Sequence, residues 1–480
     1  MQRTNEKLNL WQKLAYGVGG IYSGGASIIV NFYYLIFLTD VVQIRPGLAG
    51  LIILISKLYD ALTDPLEGVI SDRTRTKLGR RKPYILAAIP LVALSFLALF
   101  YPYGTTNESW RFAFVLLANL FYSTITSIVG LNYTALNSEL SLDYNERTSL
   151  SSTSMLFNSI SSVICAIIPG AVVQGFDDIR TGYIVMGLSF GLFFALPFIL
   201  VVVITHERPE FLKPPTPFDW RDSFLTPLKI RTFTIALMMF LLPVAAFDVV
   251  SSIMGYFLTH YLGRGDELGA TIGLMILAQI LSLPLFAYLS RRFDKKWGYI
   301  LGAFTFVLVM LFAWFISPQQ PPYLFYLLAF FIGFTSGGVV MMISAILSDI
   351  PDVDELVSGE RREGVYAAIR TFMRKLASAL ALFIVGQALE FSGYVPPVKS
   401  LVDGVTVLTD QAQPDSFLIV LRLIFAFVPL LFFAVAGLMA WRYPLTAHLH
   451  RQLFDYLTDS RAGKVSLVSA QALKRVLVGK

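Results

Sequence analysis

PGLAGLIILISKLYDALTDPLEGVISDRTRTKLGRRK, residues 46–82, decides the fold. From Pro46 to Ser71 it is a largely apolar run, long enough to cross a bilayer core of about 30 Å, which takes roughly 20 helical residues. It then turns into a loop, 72–82, carrying Arg73, Arg75, Lys77, Arg80, Arg81 and Lys82. An apolar helix that ends in clustered positive charge reads as a membrane span with its loop on the cytoplasmic side. Within the run stand Lys57, Asp60 and Asp64, where a bilayer tolerates few charges.

Working outward, the same pattern fills the chain. The 480 residues are 55% hydrophobic and only 15% charged, against about 25% charged in soluble domains. Apolar runs broken by polar turns predict spans at 14–41, 46–71, 83–104, 110–140, 146–174 and 181–205. A second set falls at 232–262, 268–290, 297–317, 322–348, 364–392 and 415–443. The expected fold is all-α: twelve transmembrane helices in two six-helix pseudo-repeats, 1–205 and 232–443. A Pro-rich middle loop, 206–231, joins them, and 444–480 is a polar, basic tail. The second span ends in SDRTRTKLGRRKP and the eighth in SRRFDKKWG, which predicts a parallel repeat as in the major facilitator fold.

Basic residues crowd the loops after spans two and eight, the middle loop and both tails, whereas the opposite loops hold single ones such as Arg45, Arg180, Arg264 and Lys399. This asymmetry predicts cytoplasmic termini and an integral protein of a bacterial-type inner membrane. Trp110, Trp297 and Trp441 at span ends suit an interfacial aromatic belt. The pI near 9.1 then reflects topology rather than nucleic-acid binding. Cys165 is the single cysteine, and the four histidines show no metal-ligand spacing. Met1–Lys13 is polar and no cleavable leader is expected.

Charges inside a bilayer are costly unless paired or hydrated, so each is a functional candidate. Offsets of three and four put Lys57, Asp60 and Asp64 on one helical face. Two carboxylates a turn apart repel, and a bound cation or proton relieves them. Thr63 adds a hydroxyl, and oxygen ligands suit a hard cation such as Na⁺. The alternative is that Lys57 only neutralises Asp60 for packing. In span eleven, Lys375 lies deep enough to serve as a counter-ion that leaves when the coupling cation arrives, whereas Arg370 is placed to snorkel. Asp248 in span seven has no neighbouring base; proton binding, a substrate hydrogen bond and capping of a helix break near Pro243 are all open. The glycines of span one, Gly17 to Gly25, read as helix-packing positions.

At this point the chain resembles the glycoside–pentoside–hexuronide:cation symporter family of the major facilitator superfamily, the melibiose-permease-like carriers. The resemblance rests on YGVGG (16–20), FLTDVV (37–42), DALTDPLEGVISDRTRTKLGRRKPYI (60–85), YTALNSELSLDYNERTSL (133–150) and LSDIPDVDELVSGERREGVYAAIRTFMRKLASAL (347–380). It implies that Asp60 and Asp64 bind the coupling cation, Na⁺ or H⁺, with Thr63 and Ser127 contributing and Lys375 beside them. It also implies a cytoplasmic lock of Asp72, Arg73, Arg147, Asp349, Asp352, Glu355 and Arg361.

The sugar-gripping groups of the family's melibiose carriers are missing. Two acids, an Arg and a Trp would fall at Gly24, Gly130, Met155 and Thr134. Polar groups left to line a central cavity are Tyr22, Asn31, Asn132, Tyr133, Asn137, Asp248, Arg370 and Thr371. The expected activity is cation-coupled symport of a sugar or glycoside by alternating access. A lysophospholipid or other amphiphile symporter is the first alternative and a non-transporting sensor the second. Neither an enzymatic cofactor nor a metal is expected; the partners are a small solute, the coupling cation and membrane lipid, with the protein a monomer.

Overall fold

A computed structural model describes residues 8–141, 143–207, 227–359, 362–402, 405–461 and 469–479. Among these are twelve helices long and apolar enough to cross a membrane, and the chain is an integral membrane protein. The elements are α1 (Leu10–Gly17), α2 (Gly20–Ile36), α3 (Pro46–Arg73), α4 (Lys82–Leu99), α5 (Glu108–Leu140), α6 (Tyr144–Gln174) and α7 (Ile179–Ile204). They continue with α8 (Arg231–Tyr256), α9 (Leu268–Arg292), α10 (Lys295–Ala313), α11 (Pro322–Leu347), α12 (Ile350–Ser358) and α13 (Glu363–Phe391). A hairpin of β1 (Val398–Val402) and β2 (Val405–Thr409), then α14 (Asp415–Arg442), α15 (Ala447–Arg461) and α16 (Ala470–Leu477), complete the chain.

Local chemistry sets the helix starts. Asn107 accepts from the Ser109 and Trp110 amides at 2.9 and 3.3 Å, and Asp143 from those of Asn145 and Glu146 at 2.8 and 3.0 Å. These caps satisfy amides that have no carbonyl within the helix. The first span begins at Leu10, earlier than the polarity of the N-terminus predicts, because Asn9 and Gln12 form a reciprocal capping box. The third and ninth spans stop at Leu99 and Ala313, ahead of the expected 104 and 317; the aromatic and Pro-containing ends beyond them leave the helix.

The chain divides into two compact units. One comprises Met1–Thr216, Ser251–Gly273 and Leu382–Leu421; the other comprises Pro217–Val250, Leu274–Ala381 and Arg422–Lys480. In the first, α2 and α6 approach almost backbone to backbone: a Cβ on Gly20 would lie 2.3 Å from the Ser154 carbonyl oxygen, and one on Gly24 2.3 Å from that of Asn158. Dispersion between close backbones holds helices together where lipid removes the hydrophobic drive, so these glycines are packing positions. In the second, the tail is docked. The Arg461 Nε donates to Glu355 at 2.7 Å, and the Thr232 hydroxyl to the Leu477 carbonyl at 2.5 Å. Most of the middle loop, and Arg361, lie outside the described residues.

Candidate functional site

α3 and α5 lie side by side in the first unit and are joined by two matching rungs. Ser123 Oγ donates to Asp60 Oδ1 at 2.5 Å, and one turn on Ser127 Oγ donates to Asp64 Oδ1. Both helices advance four residues between rungs, so equal rise per turn keeps the pairs in step. Asp60 is 6% exposed and Asp64 half-buried. Thr63 donates to its own helix at the Tyr59 carbonyl, 3.1 Å away. One turn before Asp60, the Ser56 hydroxyl is buried and makes no hydrogen bond among the described residues. Glu67 shares the face by spacing. Ser123, Ser56 and Glu67 are the members that the sequence did not single out.

A serine that donates to a carboxylate keeps its lone pairs for another partner. Two carboxylates with attendant hydroxyls therefore form an oxygen-rich strip inside a span. Such a strip can take a proton on either acid or a hard cation across both.

A cavity of about 310 Å³ opens in the same unit, lined by residues that include Tyr16, Tyr22, Tyr133, Asn137, Ser154 and Asn158. The Tyr16 and Tyr133 rings stack with centroids 4.7 Å apart. Tyr133 Oη donates to the Tyr16 carbonyl at 2.8 Å and is hydrogen-bonded with Ser154 Oγ at 2.8 Å. Asn137 donates to Ser151 at 2.8 Å and Asn158 to Ser23 at 3.1 Å. Tyr22 Oη is bonded to Thr126 Oγ1 at 2.7 Å. Gly130, Thr134 and Met155, at positions where the resemblance would put a carboxylate, an indole and a guanidinium, all line this cavity. Among the described residues its lining carries no charged side chain.

Of the other cavity candidates, Asn132 donates to its own helix at Ile128, 2.8 Å away, and neither it nor Asn31 lines the cavity. Asp248, Arg370, Thr371 and Lys375 belong to the second unit. There Asp248 is buried, Arg370 lies 5.7 Å over the Phe240 ring, and Thr371 donates to the Ala367 carbonyl at 2.9 Å. Lys57 on α3 and Lys375 on α13 are both half-buried.

The loop after α3 is a compact charge network. Glu139 accepts from Arg80 at 2.7 Å and from Arg81 at 2.9 Å, and Arg81 also pairs with Asp72. The Glu207 carboxylate takes the backbone amides of Arg80, Arg81 and Lys82 at 2.6, 3.0 and 2.8 Å, a carboxylate seated on the start of α4. Gly79 has φ of 110° and a Cβ there would lie 2.3 Å from the Glu207 carboxyl, so the turn requires glycine. Arg73 is exposed. Arg147 donates to the Ser141 and Ser138 carbonyls at 2.6 and 2.9 Å. In the second unit Asp349 pairs with Lys295 at 2.7 Å and Asp352 with His450 at 3.3 Å.

A family model described as MFS/sugar transport protein matches residues 15–447. An uncharacterized symporter of Synechocystis is 30% identical, covering 94% of this chain and 97% of its own. The sodium-dependent lysophosphatidylcholine symporter 1 of Gallus gallus is 23% identical, with 96% and 91% covered. The crystal structure of a D-xylose-proton symporter superposes with a TM-score of 0.67 at 13% identity, covering 90% of this chain and 97% of that one; this likeness concerns the fold alone. The chain belongs to the MFS/sugar transport protein family and is a transporter of the major facilitator superfamily, not an enzyme.

Proposed function

We propose that the protein moves a sugar or glycoside inward with Na⁺ or H⁺ by alternating access, with both termini cytoplasmic. The observation that supports coupling is the pair of rungs, two acids a turn apart inside a span and each held by a serine. In this reading the cation binds Asp60 and Asp64 with help from Ser127, Ser123 and Thr63, and displaces the counter-charges Lys375 and Lys57. It biases the access equilibrium by its differential affinity for the two states. The solute then raises cation affinity by the same factor that the cation raises its own. In the same reading Asp72, Arg73, Arg147, Asp349, Asp352 and Arg361 serve as the cytoplasmic gate that closes the outward-facing state.

The uncharged lining of the cavity supports a neutral, hydroxyl-rich solute. Tyrosine faces stack on the apolar face of a pyranose while Ser, Thr and Asn groups exchange hydrogen bonds with its hydroxyls. A second reading, carriage of a lysophospholipid, is favoured by the likeness to the Gallus gallus symporter over 96% of this chain. Uptake by proteoliposomes across a panel of sugars, glycosides and lysolipids, under imposed Na⁺ or H⁺ gradients, decides between them. Gradient-driven uptake of a neutral glycoside supports the proposal, and uptake confined to lysolipids overturns it.

A further inference from the structure

FLTD at 37–40 and FLTH at 257–260 occupy the same place in the two halves, at the ends of the first and seventh spans. Each is wound as a π-helical turn, Phe37–Val41 and Phe257–Leu262, a rare form that concentrates at functional positions. The two copies differ in their last letter, and those two side chains meet: His260 Nε2 lies 3.2 Å from Asp40 Oδ2. The His260 side chain is 1% exposed and that of Asp40 10%. Asp40 Oδ1 accepts from Thr39 Oγ1 at 2.7 Å and from the Tyr394 hydroxyl, and Thr39 is bonded to Tyr256 Oη at 2.6 Å. Tyr183 from α7, Tyr256 from α8 and Tyr394 beyond α13 are the titratable groups around Asp40. Phe417 of α14 completes the ring cluster about His260. All belong to the first compact unit.

Around this cluster the ends of spans seven and eleven are seated on span one and its neighbour. The Gly47 amide donates to Glu390 at 2.8 Å. A Cβ on Gly50 would meet the Phe383 backbone at 3.1 Å, and one on Gly255 would meet Ile36 at 3.1 Å. Shape and apolar contact bring the helices together, and the Asp40 carboxylate joins polar groups from spans one and seven and from the segment after span eleven. A hydrogen-bonded carboxylate can exchange its donors for water at small net cost, whereas a buried one left without them is expensive. That asymmetry makes the cluster firm when closed and able to part when water enters.

We infer that Asp40 and His260 are positioning residues for transport. They latch span one to spans seven and eleven on the membrane face opposite the basic loops, and they must separate each time the cavity opens there. The inference rests on the alternating-access reading but not on the identity of solute or cation.

The test uses the full-length protein with Cys165→Ala and a reporter cysteine on the cavity, Asn158→Cys, in sealed vesicles of known orientation. A membrane-impermeant thiol reagent is applied to either face. Asp40→Asn and His260→Ala should each raise labelling from the latch face roughly tenfold, the factor that corresponds to about 1.4 kcal/mol, and lower it from the opposite face. Asp40→Glu, which keeps the acceptor, should restore the original preference in part. A purely structural role would reduce the folded fraction, read by size-exclusion chromatography, without changing which face labels. Should Asp40→Asn fail to fold, His260→Gln provides the same comparison. Folded variants with unchanged labelling from both faces would overturn the latch. Gradient-driven uptake by Asp60→Asn protein tests the coupling reading separately, so the two failures are distinguishable.

Discussion

Ser123 donates its hydroxyl proton to Asp60 across 2.5 Å, between α5 and α3, inside the membrane-spanning part of the chain. Four residues on, Ser127 does the same for Asp64. A carboxylate that must stay chargeable within a bilayer needs donors that do not compete for its cation, and a hydroxyl meets that need because it can donate and ligate together.

Ser123→Ala and Ser127→Ala should therefore weaken the coupling cation more than the solute. Each removes one donor from a buried or half-buried acid, a loss of about 1–3 kcal/mol. The expected outcome is a cation concentration for half-maximal uptake raised roughly tenfold, equivalent to about 1.4 kcal/mol. Solute affinity at saturating cation should change little. Cation titrations of uptake at fixed solute check this; equal weakening of both would assign the serines to general packing.

Glu139 holds two guanidinium groups with its side chain 3% exposed. Breaking a buried ion pair by removing one partner costs about 3–5 kcal/mol. Glu139→Gln should lower the thermal unfolding temperature clearly. Asp72→Asn, whose side chain is 32% exposed, should lower it much less because solvent screens the pair. Parallel melting curves in one detergent make the comparison.

The docked tail should respond to pH. His450 on α15 is raised above its ordinary pKa of 6.5, first because Asp352 accepts a hydrogen bond from its ring and then through the Asp349 charge, with burial opposing. A raised pKa means that the docked state binds the proton more tightly than the undocked one. The contribution is full below the ordinary value and is lost as pH rises through the raised value. Deuterium exchange of Ala447–Arg461, corrected for the intrinsic pH dependence, should increase across that interval. His450→Gln should flatten the profile, while the Arg461–Glu355 pair keeps part of the docking at every pH.

The spans were legible because a bilayer demands long apolar runs, as at Tyr183–Ile204. Asp60 and Asp64 were legible because charges in such a run stand out and a spacing of four shows their shared face. Ser123 was not, since one serine in a long helix resembles any other. Which face α5 turns to α3 depends on packing between positions 63 residues apart. Asp40 and His260 were visible only in part: Asp40 stands in FLTDVV, one of the stretches that carry the resemblance, and His260 is one of four histidines without metal-ligand spacing. Their relation lies in the repeat FLTD and FLTH and in contact across 220 positions. The hairpin of β1 and β2 and the tail helix α15 escaped because elements this short carry no span-length signal.

In the proposed function Asp60 and Asp64 convert a cation gradient into solute accumulation. Asparagine in either position keeps size and some hydrogen bonding but removes the charge that a cation or proton must meet. The most direct measurement is concentrative uptake by proteoliposomes holding Asp60→Asn or Asp64→Asn protein, beside exchange of pre-loaded solute without a gradient. Loss of accumulation with exchange or solute binding retained is the predicted result. Folded, inserted variants that still concentrate solute with normal cation dependence would contradict the account.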